Sequence, residues 1–288
     1  MERLKIYYLK VGWCIWGLLA CSCTQERWYK KTFHPAEQRQ LVQQLLNASA
    51  ESKYYYQGSV PDQFLLAESL MYDSTLAAAW REVGTAYLKR GMAKEFYEYY
   101  EKAAELDPVV WRGWMGYMYL YFYRDFERAI ADFNATDTLT PHFTDYPQGQ
   151  SVDYMRGIAY YGLGDYTGAL PFFTKYIAEV TQEEGEEWVD VYAFLYRGLT
   201  WEKLNQLDLA LLDFATVLKY SPRLSDTYYH QSRIQYRLGN YQEAMTYAQR
   251  AEEWFKKGYF HQRPYIEVLE QIYEQDIEHL KTQLPAGP

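Results

Sequence analysis

Cysteine is nearly absent from this chain of 288 residues: Cys14, Cys21 and Cys23 are all it has, and all lie near the start. The body of the chain therefore holds no disulfide framework and no cysteine zinc site. Histidine is equally sparse, and His34, His142, His230, His261 and His279 share no metal-ligand spacing. There is no glycine loop to cradle phosphate and no nucleophile elbow. The expectation is a protein without catalytic residues, metal or cofactor. No apolar run reaches the roughly 20 residues that a bilayer crossing needs. Basic residues are also in deficit, 29 Lys and Arg against 38 Asp and Glu, a formal net charge of −9. Binding nucleic acid takes a basic face, so that partner class is not expected.

What is present begins at the amino terminus. Residues 1–10 carry Arg3, Lys5 and Lys10 against Glu2, and residues 11–20 are almost wholly apolar. Ten such residues suit the short core of a secretory signal. An uncleaved anchor over residues 6–23 would instead hold Lys10 in or near hydrocarbon, which is costly. The stretch ends Leu18-Leu19-Ala20-Cys21, which resembles the lipobox of bacterial lipoproteins. That resemblance implies a signal peptide at 1–20, removal of it, and acylation of Cys21 (diacylglyceryl and palmitate-type chains), followed by a tether at 21–34. With Ser22 next, it also implies a lipid-anchored protein of the cell envelope, at the outer membrane where there is one; either leaflet is open. Two acyl chains hold durably where one is marginal. Cys23 is left as the one free thiol, open to acylation, to an intermolecular bridge or to no role at all.

Between Ala77 and Ala251 one pattern comes back five times, from starts at 77, 110, 150, 191 and 225. A clear copy reads Phe194, Gly198, Trp201, Ala210, Phe214 and Pro222. Others supply Trp80, Gly84, Tyr87, Tyr100, Ala103 and Pro108, or Gly157, Tyr160, Gly164, Ala169 and Phe173, or Tyr228, Ser232, Gly239, Ala244 and Ala251. The copy from 110 has Ala129, Phe133 and Pro141, but its first helix fits only if the phase slips by one. The pattern resembles the tetratricopeptide repeat (TPR), a helix–turn–helix unit of about 34 residues. It implies an all-α solenoid of stacked hairpins, since one hairpin cannot bury its apolar face alone. Glycine or serine at slot 8 and alanine at slot 20 are expected to face each other where the two helices cross. Glycine at slot 15 is expected to end the first helix in a left-handed turn.

The expected organisation has a degenerate hairpin at 35–76, five repeats at 77–259, and a capping helix with a tail at 260–288. Residues 36–57 and 61–72 read as the degenerate pair, Pro61 suiting a helix start. Residues 264–283 read as one amphipathic helix with Ile266, Leu269, Ile272, Tyr273 and Ile277 on one face. Extra residues at 142–149 and 184–190 lengthen two repeats, as helix or loop. The acidic run Glu183-Glu184-Gly185-Glu186-Glu187 reads as a solvated helix start.

There are 32 tyrosines, most of them suited to half-buried packing in a thin array. The family resemblance assigns the inner, concave wall to first-helix slots 2, 5, 9, 12 and 13. Among the residues at those slots are Arg81, Lys89, Trp111, Trp114, Met118, Tyr121, Tyr154, Tyr161, Tyr192, Tyr229, Arg233, Tyr236 and Arg237, with Glu202 and Lys203 beside them. This is an aromatic trough with basic ends, fit for a protein or extended peptide. A tightly wound array would bury the same rings, and the C-terminal helix would also fit there. The functional expectation is a lipid-anchored TPR scaffold or adaptor for protein–protein interaction at a bacterial membrane surface. The alternative is a surface glycan-binding lipoprotein accessory to carbohydrate uptake, its rings stacking on sugar.

Overall fold

The computed structural model describes residues 34–50 and 56–285. The signal peptide, Cys21, Cys23 and nearly all of the tether lie outside the described residues. Among the described residues there are 13 α-helices and no strand, and no helix is long and apolar enough to cross a membrane. The chain divides into two units, 1–74 and 75–288.

In the first unit α1 (Pro35–Ala50) pairs with α2 (Val60–Tyr72). Pro61 stands in the first turn of α2, where its missing N–H costs nothing. The hairpin closes on Asp62, which is 2% exposed. Its carboxylate accepts from Ser49 Oγ at 2.5 Å and from the Gly58 N–H at 2.6 Å. Leu66, Val42 and Leu45 are the apolar residues buried with it.

The second unit is a run of five hairpins: α3 (Ala77–Lys89) with α4 (Ala93–Leu106), α5 (Pro108–Met118) with α6 (Phe126–Leu139), and α7 (Val152–Gly162) with α8 (Tyr166–Glu183). Then come α9 (Val191–Lys203) with α10 (Leu207–Tyr220) and α11 (Ser225–Arg237) with α12 (Tyr241–Lys256). One apolar core runs through them from Phe96 to Ile234. Slot 20 is closed in every hairpin: Phe96, Ala129, Ala169, Ala210 and Ala244 are all 0% exposed.

The slot 8 glycine of the first hairpin faces slot 20 as expected, a Cβ on Gly84 lying 3.5 Å from Phe96, but Gly157 and Gly198 face another ring. A Cβ added to Gly157 would lie 2.7 Å from the Phe173 ring, and one on Gly198 would lie 2.6 Å from Phe214. In these two hairpins the small residue makes room at the helix crossing for the phenylalanine four positions after slot 20, at slot 24. Ser232 also meets slot 20 directly, its hydroxyl donating to the Ala244 carbonyl at 2.7 Å.

Slot 15 behaves as expected and more generally than its glycines indicate. Gly91, Arg124, Gly164, Asn205 and Gly239 have φ of +72°, +52°, +79°, +60° and +80°. Every first helix therefore ends in the left-handed region. The second hairpin reaches this point through a π-helical turn, Tyr119–Tyr123, which adds one residue. That residue is the phase slip. Counted with it, Gly116 becomes slot 8, and its Cβ position lies 2.6 Å from Phe133.

Residues 142–149 are a loop ending in a 3-10 turn at Pro147–Gly149. The second insertion lengthens α8 to 18 residues before a 3-10 turn at Glu186–Trp188. The acidic run thus spans the end of α8 and the opening of that 3-10 turn, not the start of an α-helix. The next helix is capped instead by Asp190, which accepts from the Tyr192 N–H at 3.0 Å.

The C-terminal cap is α13 (Glu274–Gln283), shorter than the 264–283 expected. It packs on α12 through Ile277 against Ala251 and through pairing of Lys281 with Glu252, with Leu280 buried as well. Residues 257–273 are not helical. Pro264 cannot continue a helix, and Tyr265 and Glu270 take φ of +69° and +56°, which helix forbids.

Candidate partner-binding face

The first helices α5, α7, α9 and α11 form one wall, and the 257–273 stretch lies against it. The stretch leaves α12, crosses the wall, turns, and comes back to α13. Its turn is made at Pro264 and Tyr265 between Arg263 and Ile266, which form an isolated antiparallel bridge. Tyr265, at the tip, is 84% exposed.

The outgoing limb starts where the Ser225 N–H donates to the Tyr259 carbonyl at 2.8 Å. The His261 imidazole stacks on Tyr192 and makes a T-shaped contact with Tyr196, with centroids 3.8 and 5.9 Å away. Its backbone N–H donates to Asp226 Oδ2 at 2.8 Å. The Arg263 guanidinium then lies 4.3 Å from the Tyr121 centroid and donates to the Tyr117 hydroxyl at 3.3 Å. Such cation–π seats are strongest where water is excluded.

On the return limb Arg124 donates to the Glu267 carbonyl at 2.9 Å and meets its carboxylate at 3.2 Å. The Tyr196 hydroxyl donates to the Leu269 carbonyl at 3.0 Å. Glu270 accepts from the Tyr161 hydroxyl at 2.6 Å and from Lys203 Nζ at 2.8 Å. Val268 and Ile272 are buried, and Ile266 and Leu269 pack on the main core.

Charge is concentrated at the far ends of α9 and α11. Glu202 is 4% exposed, with Arg233 and Arg237 at 3.3 and 3.7 Å and His230 Nδ1 at 3.7 Å. Burial pushes the Glu202 carboxyl up, and the two arginines pull against it. Burial also lifts Glu270, but Lys203 and Tyr161 outweigh it and leave that carboxyl low. His230 and His261 are both held down at about 3 by burial, with Arg233 and Arg263 adding to it. Asp226, 2% exposed, is pushed up to about 7 by burial against the pull of the His261 N–H.

The residues expected on the inner wall fall into two sets. Tyr121, Tyr161 and Tyr192 touch the returning stretch directly, while Tyr154 is buried against Tyr176 and Tyr196. Tyr229 packs with the smaller cluster around Ile272 and Ile277, and Tyr236 is exposed against Tyr241. Arg233 and Arg237 gather on Glu202. At the other end Arg81 lies over Trp111 and Trp114, 5.5 and 5.3 Å from the ring centroids, with Glu82 paired to it. Lys89 is exposed and Met118 buried.

Tyr117, Arg124, Tyr196, Arg263 and Glu270 were not marked by the slot count. For Tyr117 the signal was available: once the π turn is counted, slot 9 of the second hairpin moves from Met118 to Tyr117. No group of three or more His, Cys, Asp or Glu fit to hold a metal occurs among the described residues.

Models of the tetratricopeptide repeat match residues 77–109 and 195–256. Solved structures agree on the fold. One is PilW, described as a widely conserved type IV pilus biogenesis factor. It aligns at TM-score 0.56 and 18% identity over 82% of this chain and 98% of its own. PilF of Pseudomonas aeruginosa aligns at 0.55 and 12% identity, over 76% and 94%. YrrB, described as a TPR protein with an unusual peptide-binding site, aligns at 0.50 and 18% identity, over 66% and 91%. Among curated proteins none matches. The chain contains tetratricopeptide repeats and folds as a helical solenoid; identities this low speak for the fold alone.

Proposed function

We propose that this repeat-bearing chain is a lipid-anchored adaptor. Attached through Cys21 to a membrane of the bacterial envelope, the outer membrane where there is one, it holds a partner protein on the wall of its first helices. It performs no chemistry itself. One observation carries the reading: that wall already holds a non-helical polypeptide by ring stacking, cation–π seating and a carboxylate pair. Such contacts grip extended chains in general. The sugar-stacking alternative leans on Trp111 and Trp114. These rings meet each other edge to face at 5.9 Å beneath Arg81, which is no flat platform for a sugar.

Two measurements test the proposal. Palmitate labelling with membrane fractionation compares the native chain with Cys21→Ser, which is expected to lose both label and membrane attachment. A Cys21→Ser chain that stays in the membrane would remove the anchor. Crosslinking from intact membranes, read by mass spectrometry, is expected to place a protein neighbour on α7, α9 or α11. Retention of polysaccharide that Trp111→Ala with Trp114→Ala abolishes, with no protein crosslinked, would put the glycan reading in its place.

A further inference from the structure

We infer that the 257–273 stretch is a built-in competitor. The wall beneath it is a binding site for an extended, acidic and aliphatic segment of a partner protein, whose carboxylate takes the place of Glu270 between Tyr161 and Lys203. This rests on the adaptor reading and adds the chemistry of the partner.

The stretch is held almost wholly by side chains. No helix or sheet ladder ties its backbone to the wall, and its one main-chain bond there is the Ser225 N–H on the Tyr259 carbonyl, at its start. Its main-chain groups meet the wall's side chains at three points: His261 N–H on Asp226, and the Glu267 and Leu269 carbonyls on Arg124 and Tyr196. A segment arriving from another chain along the return limb can reproduce the contacts on Arg124 and Tyr196.

The stretch also carries strain that such a segment lacks. Tyr265 and Glu270 sit in the left-handed region, where a side chain is unfavourable. Both turns exist because the chain must reverse and return to α13. A segment open at both ends passes straight through and needs neither. Strained residues at a binding face are what a displaceable element requires.

Charge selects the occupant. Removing Glu270 leaves Lys203 without the carboxylate 2.8 Å away, in a corner that also holds Arg233 and Arg237. Glu202 is already shared by those two arginines and lies 97% buried at its side chain. A neutral or basic segment would leave Lys203 unmatched at a partly buried position, whereas a carboxylate restores the pair. The aliphatic requirement comes from Val268, two residues before Glu270 and 3% exposed.

The test uses the full chain and a fluorescein-labelled peptide with the sequence of residues 261–272, read by fluorescence anisotropy. A site open only part of the time binds more weakly in proportion to that fraction. Glu270→Ala, which loosens the stretch, is therefore expected to bind the peptide about tenfold tighter than the native chain. Adding Lys203→Met, or giving the peptide glutamine at the position of Glu270, is expected to reverse that gain. Equal binding by the native and Glu270→Ala chains, or indifference to the glutamine, overturns the inference. Native-state hydrogen exchange on the unaltered chain gives a second reading that no folding failure can spoil. Amides of residues 261–272 are expected to exchange through an opening that leaves α7 and α9 protected. Exchange only together with those helices would make the stretch fixed core and overturn the inference. The probe is the chain's own sequence, so a negative result here leaves the membrane crosslinks standing, and their absence leaves this binding measurement standing.

Discussion

His261 lies flat on Tyr192, with ring centroids 3.8 Å apart and planes 17° from parallel. The pairing keeps the imidazole out of water, and with it uncharged down to about pH 3. In the unfolded chain the same group takes its proton near 6.5. Its contribution to stability is thus full above 6.5 and is lost as pH falls toward 3. His230 behaves in the same way. In thermal unfolding series from pH 7 to 4, His261→Gln is expected to lose stability with acid less steeply than the native chain. Parallel curves would mean that the ring is hydrated in the folded state.

Asp226, bonded to the His261 N–H, works in the opposite direction. Its folded pKa of about 7 stands above the ordinary 3.8. The stability it lends is present below 3.8 and is lost as pH rises through 7. Asp226→Asn is isosteric with the protonated acid and keeps an acceptor for that N–H. Melting temperatures of the two chains are expected to agree at pH 3.5, below the ordinary 3.8, with the variant melting higher at pH 8. A variant that melts lower at both values would show that the ionised carboxylate is the form the fold uses.

Gly198→Ala drives a methyl group to 2.6 Å from the Phe214 ring. Overpacking of this kind costs roughly 1–3 kcal/mol, readable as a lowered urea midpoint. Phe214→Leu in the same chain is expected to return part of the loss, since it trims the group that clashes. If the two substitutions simply add, the crossing of α9 and α10 is looser than the geometry says.

Arg197 and Asp213 form a two-pronged pair at 2.9 and 2.7 Å across α9 and α10. The Asp213 side chain is 7% exposed. Burial already pushes its carboxyl up against the pull of Arg197. Arg197→Leu strands that carboxylate and is expected to cost about 3 kcal/mol in denaturant unfolding. Adding Asp213→Leu is expected to recover much of it. A double variant weaker than the single one would show the pair to be worth more than an apolar contact.

The repeats were legible because the residues that specify them act locally. Slots 8, 15 and 24 mark where two helices cross and where one stops, and each leaves a residue type in the sequence. Arg124 at slot 15 hid one left-handed turn, since only glycine and asparagine advertise it. The extra residue of the π turn could be seen as a slip in phase but not assigned to a place. The C-terminal stretch was misread for a different reason. Ile266, Leu269, Ile272 and Ile277 do recur at helical spacing, but apolar residues also recur where a chain is pressed onto a wall built elsewhere. Only Pro264 argued for the second reading. Glu270 could not be marked at all, because its partners Tyr161 and Lys203 lie 109 and 67 positions away in the sequence and meet it only once the hairpins stack.

The widened turn at Tyr119–Tyr123 governs how this array can be cut and rejoined. An α-helical residue advances the chain by about 100°, so a chimera joined inside that turn by matching residue counts to a regular array would rotate the α5 side chains away from their wall. Junctions in the loop at 142–149, or between α8 and α9, leave the rotation intact. Whole hairpins, exchanged at those seams, are the units in which this molecule can be rebuilt.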